Sequence, residues 1–511
     1  MTVFFIQLKQ ILIHNNFKKA IAFFVLFSLN IQTNNAQTSY SKPSKLQQQQ
    51  SERGYGMFIH FGVNTFNEIE WSKGNLPAAS FSPTNLDCDQ WIKTAKEAGF
   101  RYVILITKHH DGFCLWDSKY TNYDVAAATV KTDIVAEVSK ACKKYGLQLG
   151  LYYSLWDRHE PSHNNPNAQA YVDYMKNQIS ELLTNYGKIC EIWFDGGWAK
   201  KDADWHLPEV YNHIKQLQPN CLVTVNHTIK TPGKPKAMLP KDMQQGDSIR
   251  YYPVDFRTKD PNMARWDDPK LYMYNDTLRY LIFEHTICLS DRWNWFQKKA
   301  NLPVRDIDEL EELFYLGTAN NNILIVNIPP DQTGKLRQDE VNQLLLLADR
   351  LGIRGGKKKL PSAPKNLTFG KPIVASNSQE NTSANLANDY SVETAWLAEK
   401  DTASLTIDFE EEVSFDRISL FEKYEEKALG DGFSVMHTFA IEAYSIDVFD
   451  GANWNTIFMG DRIGACKTVH LPSLQTAQKI RIQILKASKP AGLFHISVAD
   501  KNTKGIRTIK K

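Results

Sequence analysis

Residues 191–198, EIWFDGGW, read as a buried strand that stops on an acid: Ile192, Trp193 and Phe194 run into Asp195, and Gly196 and Gly197 follow. The run lacks the polar alternation of a half-exposed strand, which marks a parallel strand covered on both faces. Seven more runs share that texture: GMFIHFG, YVILITK, LQLGLYYS, CLVTVN, SIRYYPV, TICLS and NNILIVNI. Between several of them lie amphipathic helix patterns that end near glycine, such as DQWIKTAKEAG, DIVAEVSKACKKYG and YVDYMKNQISELLTNYG. Eight such units over roughly 300 residues predict a (β/α)8-like barrel across residues 50–350. Residues 228–275, rich in Pro and Lys, show the pattern least clearly.

Beyond the barrel the texture changes. Residues 351–366, LGIRGGKKKLPSAPKN, have the composition of a linker. Residues 367–511 follow with short alternating strands such as SLTIDF and KIRIQIL, the pattern of an all-β sandwich. At the other end, Lys18 and Lys19 precede the apolar run AIAFFVLFSLNI and a polar stretch. That is the pattern of a signal peptide over residues 1–36, with cleavage expected after Ala36. The expectation is an exported protein, periplasmic or secreted, with no membrane insertion after cleavage.

Composition narrows the function classes. The net charge of +3 is spread along the chain, with one short basic run at Lys357–Lys359, and gives no basic face for nucleic acid. Seven cysteines in 511 residues, none in a CxxC or Cys/His spacing, argue against a disulfide framework or a zinc site. No P-loop and no GxSxG elbow occurs. No cofactor is expected, and the oligomeric state is left open. The 12 Trp suit a protein that stacks flat sugar faces, although large cores also use Trp.

In a (β/α)8 barrel the reactive face is made by the C-terminal strand ends. The residues that follow each apolar run are His60; His109, His110 and Asp111; Trp156 and Asp157; Asp195; Asn226 and His227; Asp255; Asp291, Trp293 and Trp295; and Asn327. Acids, imidazoles and indoles thus converge on one rim and predict an active site there. His109 and His110 are poor co-ligands for one ion, because neighbouring strand residues point to opposite sides. Glycoside hydrolysis fits the rim better: it needs two carboxyls about the bond, with aromatic and polar groups to hold the sugar. Asp195 is the strongest candidate acid, bared by two glycines; its alternative role is a helix N-cap. Trp293 is expected among the sugar-facing aromatics.

The blocks MFIHFG, NTFNEIEW, AGFRYVILITKHHDGFCLWDSKYT, GLYYSLWDR, EIWFDGGW and NNILIVNIPPDQTG, in this order, resemble the α-L-fucosidases of glycoside hydrolase family 29. The resemblance covers about residues 55–350. It implies a retaining exo-glycosidase that releases terminal L-fucose from fucosylated oligosaccharides or glycoconjugates, with Asp195 as the nucleophile. It also implies that His60, His109 and His110 bind fucose hydroxyls, and that Glu70, Trp71, Tyr153 and Trp193 line the pocket.

The proton donor departs from the family. Relatives with an EW block often carry a Glu four residues before SIR, where this chain has Gln244. Glu284 falls at the start of the seventh strand, on the wrong end of a barrel. The loop DFRTKDP offers Asp255 and Asp260, and Asp260 takes the place of the acid in the other branch of the family. Asp260 is the favoured acid/base, with Asp255 and Glu70 behind it. A fucoside-binding protein without a working proton donor, or a related exo-glycosidase, are the alternatives. The tail, with DYSVETAWLAE and FDRISLFE, looks like a discoidin or factor 5/8 type C module.

Overall fold

The computed structural model describes residues 42–164, 168–200, 205–234, 236–290, 293–297, 303–356, 359–428 and 435–500. The signal-peptide segment 1–36 and Asp291 lie outside the described residues.

Eight parallel strands make the barrel: β1 (Tyr55–Ile59), β2 (Tyr102–Lys108), β3 (Gln148–Ser154), β4 (Ile189–Asp195), β5 (Leu222–Val225), β6 (Arg257–Thr258), β7 (Phe283–Cys288) and β8 (Ile323–Asn327). They pair in the order β5-β4-β3-β2-β1-β8-β7-β6. The ladder is open between β5 and β6, and single hydrogen bonds close that seam. Asp255 N–H donates to the Val223 carbonyl at 2.7 Å, and the Thr224 hydroxyl donates to the Phe256 carbonyl at 2.9 Å. Higher up, Thr258 N–H donates to Thr228 Oγ1 at 3.1 Å.

The sixth strand is not where the pattern put it. SIRYYPV makes only isolated bridges, Ile249 to Ile229 and Ser248 to Met273. Pro253 has no N–H to give a central ladder, so the barrel strand starts after it, at Arg257. Arg257 is fully buried and anchors β6 to Asp268 at 2.5 Å.

The helices follow their caps. Asp87 caps Cys88–Glu97 and Asp133 caps Ile134–Tyr145, each accepting a backbone N–H of the first turn. Gly146, in the left-handed region at φ 68°, ends the second of these. A preceding helix, Lys45–Arg53, lies under the barrel and extends it upstream of residue 50: Gln47 Nε2 donates to the carbonyls of Asp255 and Tyr280, both at 2.7 Å. At this closed end Arg53 pairs with Glu191 at 2.9 Å, and the Tyr102 hydroxyl donates to Glu284 at 2.6 Å. Burial raises both glutamates above their ordinary value; the Glu191 charge pushes Glu284 further up, while Arg53 opposes the rise of each.

The segment 351–366 is more than a spacer. Leu351, Ile353 and Leu360 are buried in the barrel core, and Arg101 donates to the Gly356 carbonyl. After it comes an antiparallel sandwich dominated by two long bent strands, Ala403–Glu422 and Lys467–Ala487. Register breaks at Asp408/Val413 and Phe415/Arg417 let one strand serve both faces. Its core includes Trp396, Phe409, Tyr444, Ile482 and Ile496. The sandwich docks on the barrel helix Ile307–Thr318: Arg417 pairs with Glu312, and the Ser419 hydroxyl donates to Glu312 Oε1 at 2.7 Å. Among the described residues no helix is long and apolar enough to cross a membrane.

Candidate active site

Asp195 closes β4 at the open mouth, 6% exposed. The Tyr152 hydroxyl donates to its Oδ2 at 2.8 Å, and Asn226 Nδ2 donates to its Oδ1 at 3.0 Å. Burial raises its pKa to about 6, against the pull of those two donors and the Gly196 amide. Gly196 sits at φ 74°, and a Cβ there would lie 2.6 Å from Trp156 Cβ. The glycine thus lets the rim loops close around the carboxylate; Asp195 caps no helix through its side chain.

The second acid comes from across the seam. Asp260 follows β6 by two residues, and the Thr286 hydroxyl of β7 donates to its Oδ1 at 2.8 Å. Its N–H donates to Asn226 Oδ1 at 3.1 Å. One amide therefore ties Asp260 to Asp195. Burial, then the Asp195 charge, raise Asp260 to about 7, with Glu70 adding to the repulsion and Lys259 opposing it. Glu70 is buried beside this pair and accepts from Trp295 N–H at 3.2 Å.

Three imidazoles complete the pocket. Asn327 spends its Nδ2 on the Trp295 and Asn294 carbonyls, so its Oδ1 must accept from His60 Nδ1–H at 2.7 Å. Ser154 donates to the Trp156 carbonyl, so its oxygen accepts from His110 Nδ1–H at 2.7 Å. In both rings Nε2 is left as an acceptor. Burial holds His60 and His110 at about 3, and pushes His109 down as well. His110 Nε2 is 3.7 Å from Asp195 Oδ2. Aromatic rings wall the site: Trp71 and Trp156 stand 5.6 and 5.1 Å from His110, and Trp295 stands 5.1 Å from His60. Among the described residues no three His, Cys, Asp or Glu side chains are grouped to hold a metal ion.

The family profile for α-L-fucosidase matches residues 76–356. The chain belongs to the α-L-fucosidase family. The α-L-fucosidase 1 of Arabidopsis thaliana is 32% identical over 313 residues, covering 59% of this chain and 58% of the plant protein. The chain thus spans a little over half the length of that curated relative. The Ruminococcus gnavus family-29 fucosidase solved with fucose has a TM-score of 0.51 at 23% identity, covering 92% of this chain and 96% of its own. The α-L-fucosidase isoenzyme 1 of Paenibacillus thiaminolyticus gives 0.53 at 20% identity, over 87% and 99% of the two chains. These likenesses are of fold.

Of the residues that the α-L-fucosidase resemblance places at the sugar, most converge and one does not. Tyr153 points out of the barrel, where it donates to Gln178 at 2.7 Å and accepts from Lys108 at 2.9 Å. Its neighbour Tyr152 faces in. Side chains alternate along a strand, so an error of one residue exchanges the two faces. Trp193 is inward but sits one layer below Asp195, stacked on Tyr152 at 5.5 Å, as the floor rather than the wall. Trp293 is half-buried at the outer rim, 5.9 Å from Trp295. His109 and His110, expected to diverge, lie with ring centres 4.1 Å apart, because β2 ends at Lys108 and strand alternation ends with it.

The other acids of this α-L-fucosidase-family barrel are placed elsewhere. Asp255 is at the bottom of the seam, accepting from Val223 N–H and Lys215 Nζ at 2.8 Å and from the Tyr211 hydroxyl at 2.9 Å. Glu284 is in the closed-end cluster with Glu191 and Arg53. Asp157, read as a rim acid, is locked in a buried pair with Lys108 at 2.6 Å. Gln244 is exposed, in a turn with Asp247.

Proposed function

We propose that this protein is an exported, retaining exo-α-L-fucosidase acting on fucosylated oligosaccharides or glycoconjugates. The observation that carries the reading is the pair of acids, Asp195 near 6 and Asp260 near 7, held to one amide in a family-matched barrel mouth. Between these values Asp195 is ionised while Asp260 keeps its proton, which is the division of labour a double displacement needs.

Asp195 attacks the anomeric carbon as the glycosidic C–O bond breaks, and Asp260 gives its proton to the leaving oxygen. A covalent fucosyl-enzyme results. Asp260, now a carboxylate, takes a proton from water, whose oxygen attacks the anomeric carbon and frees Asp195. The Nε2 acceptors of His60 and His110, with His109, hold sugar hydroxyls, and Glu70, Trp71 and Trp295 bound the ring. Trp193 supports this pocket from below, and Trp293 stands at its outer edge.

The leader pattern of residues 1–36 supports export, and the antiparallel sandwich is compatible with a discoidin or galactose-binding-like module in residues 367–511.

Azide rescue tests the roles. Asp195→Ala should lose activity and, with azide, yield the β-fucosyl azide. Asp260→Ala should keep activity on fucosides with good leaving groups, and azide should yield the α-fucosyl azide. Wild-type activity of Asp195→Ala would overturn the reading. No azide effect on Asp260→Ala would move the proton donor elsewhere.

A further inference from the structure

A cleft of about 390 Å3 lies between the barrel mouth and the sandwich. The barrel lines it with Pro261, Asn262 and Trp293, and the sandwich with Tyr424, Phe494 and Glu393. Its size is at the small end of ligand cavities.

The cleft meets the proposed active site at two points. Pro261 lines the cleft and directly follows Asp260, so the cleft shares the loop that carries the carboxyl assigned to protonate the leaving oxygen. Trp295 links the other side, at 5.1 Å from His60 and 5.9 Å, edge to face, from Trp293. The indole pair therefore runs from the imidazole cluster into the cleft.

The sandwich supplies a flat aromatic face opposite. Tyr424 stacks on His437 with centroids 3.8 Å apart and lies 5.3 Å from Phe494. Trp293, Tyr424 and Phe494 are each only half-buried. The width of the cleft is set by direct bonds across it: Met263 N–H donates to Glu393 Oε1 at 2.9 Å, and Trp266 N–H donates to the Tyr390 carbonyl at 2.9 Å. Both bonds hold the loop that carries Asp260. The charges are mainly acidic, with Glu309, Glu393 and Glu426 against Arg305, and Arg305 is itself paired with Glu309.

We propose that this interdomain cleft is the leaving-group subsite and that it takes the neutral pyranose to which fucose is attached. Half-buried aromatic faces suit the apolar side of a pyranose, and the acidic lining disfavours sulfated or uronic sugars. The proposal rests on the fucosidase reading, and makes the sandwich a contributor to specificity.

The test compares α-L-fucosyl fluoride, which has no leaving sugar, with a neutral fucosyl-oligosaccharide, in the full chain and in Tyr424→Ala and Tyr424→Leu. The second variant keeps apolar volume and removes the flat face. In both, kcat/KM for the oligosaccharide should fall about 2- to 10-fold relative to kcat/KM for the fluoride, as loss of a stacking platform implies. A wild-type protein inert on the fluoride would overturn the fucosidase reading, and this subsite with it. An active wild type with an unchanged ratio in the folded variants would overturn the subsite alone. So would a wild-type preference for a sulfated leaving sugar.

Discussion

Asp195 and Asp260 reach the same side chain from opposite sides of the barrel seam: Asn226 donates to Asp195 Oδ1 at 3.0 Å and accepts from Asp260 N–H at 3.1 Å. The two strands that bear these acids, β4 and β6, are not ladder neighbours, so the amide after β5 fixes their relation. Asn226→Ala should lower kcat/KM by about 10- to 100-fold, the range for losing a hydrogen bond to a charged group. It should also move the acid limb of the pH profile upward. An unshifted profile would place the amide outside the mechanism.

The pH profile follows from the pair itself. With Asp195 near 6 and Asp260 near 7, kcat/KM should be a narrow bell. Activity falls on the acid side as Asp195 gains a proton and on the basic side as Asp260 loses one. Because the two acids interact, the limbs report the pair. Asp260→Asn should remove the basic limb when the leaving group needs no proton. A basic limb that survives there would belong to another group.

Stability should run the other way. The folded pKa of Asp195 lies above its ordinary 3.8, so the folded protein binds its proton more tightly than the unfolded chain does. That contribution is complete below about pH 4 and is lost as pH rises through about 6. Asp195→Asn should therefore raise Tm at pH 8, on the order of 2–3 kcal/mol in stability, and change it little at pH 4. Thermal unfolding at the two pH values decides it; equal effects at both would contradict the buried-carboxylate account.

Tyr152 and Tyr153 separate function from packing. Tyr152→Phe removes a donor to Asp195 and should raise the acid limb while lowering kcat/KM by about 10-fold or more. Tyr153→Phe leaves Lys108 and Gln178 short of a partner, and should cost about 1–3 kcal/mol of stability while leaving the pH profile in place. Urea unfolding beside a pH profile tests both, and a reversal of the two outcomes would invert the assignment of faces.

These neighbours also mark where the sequence is legible. Unalternating apolar runs revealed the barrel, and the residues after each run revealed the rim, because strand ends and active-site ends coincide in this architecture. The run 248–254 misled because it is apolar and strand-like, yet Pro253 bars it from the ladder, and the true β6 is two residues long. The same shift takes Asp255 from the rim, where the pattern expects it, to the bottom of the seam. Asp260, reached through resemblance, stands close enough to Asp195 for the charges to interact. Strand parity could have favoured Tyr152 over Tyr153, since Trp193 and Asp195 share a face and Tyr152 pairs with Trp193. Nothing local in the tail shows that Glu393 would touch the loop bearing Asp260; that contact joins residues 130 positions apart.

In the double displacement proposed above, Asp195 becomes covalently fucosylated. Incubation with 2-deoxy-2-fluoro-α-L-fucosyl fluoride, whose fluorine at C2 slows release of the intermediate, followed by peptide mass spectrometry tests it most directly. One fluorofucosyl adduct is expected, on the peptide containing EIWFDGGW and at Asp195. An adduct on another carboxylate, or turnover without any adduct and with inversion of the anomeric centre, would contradict it.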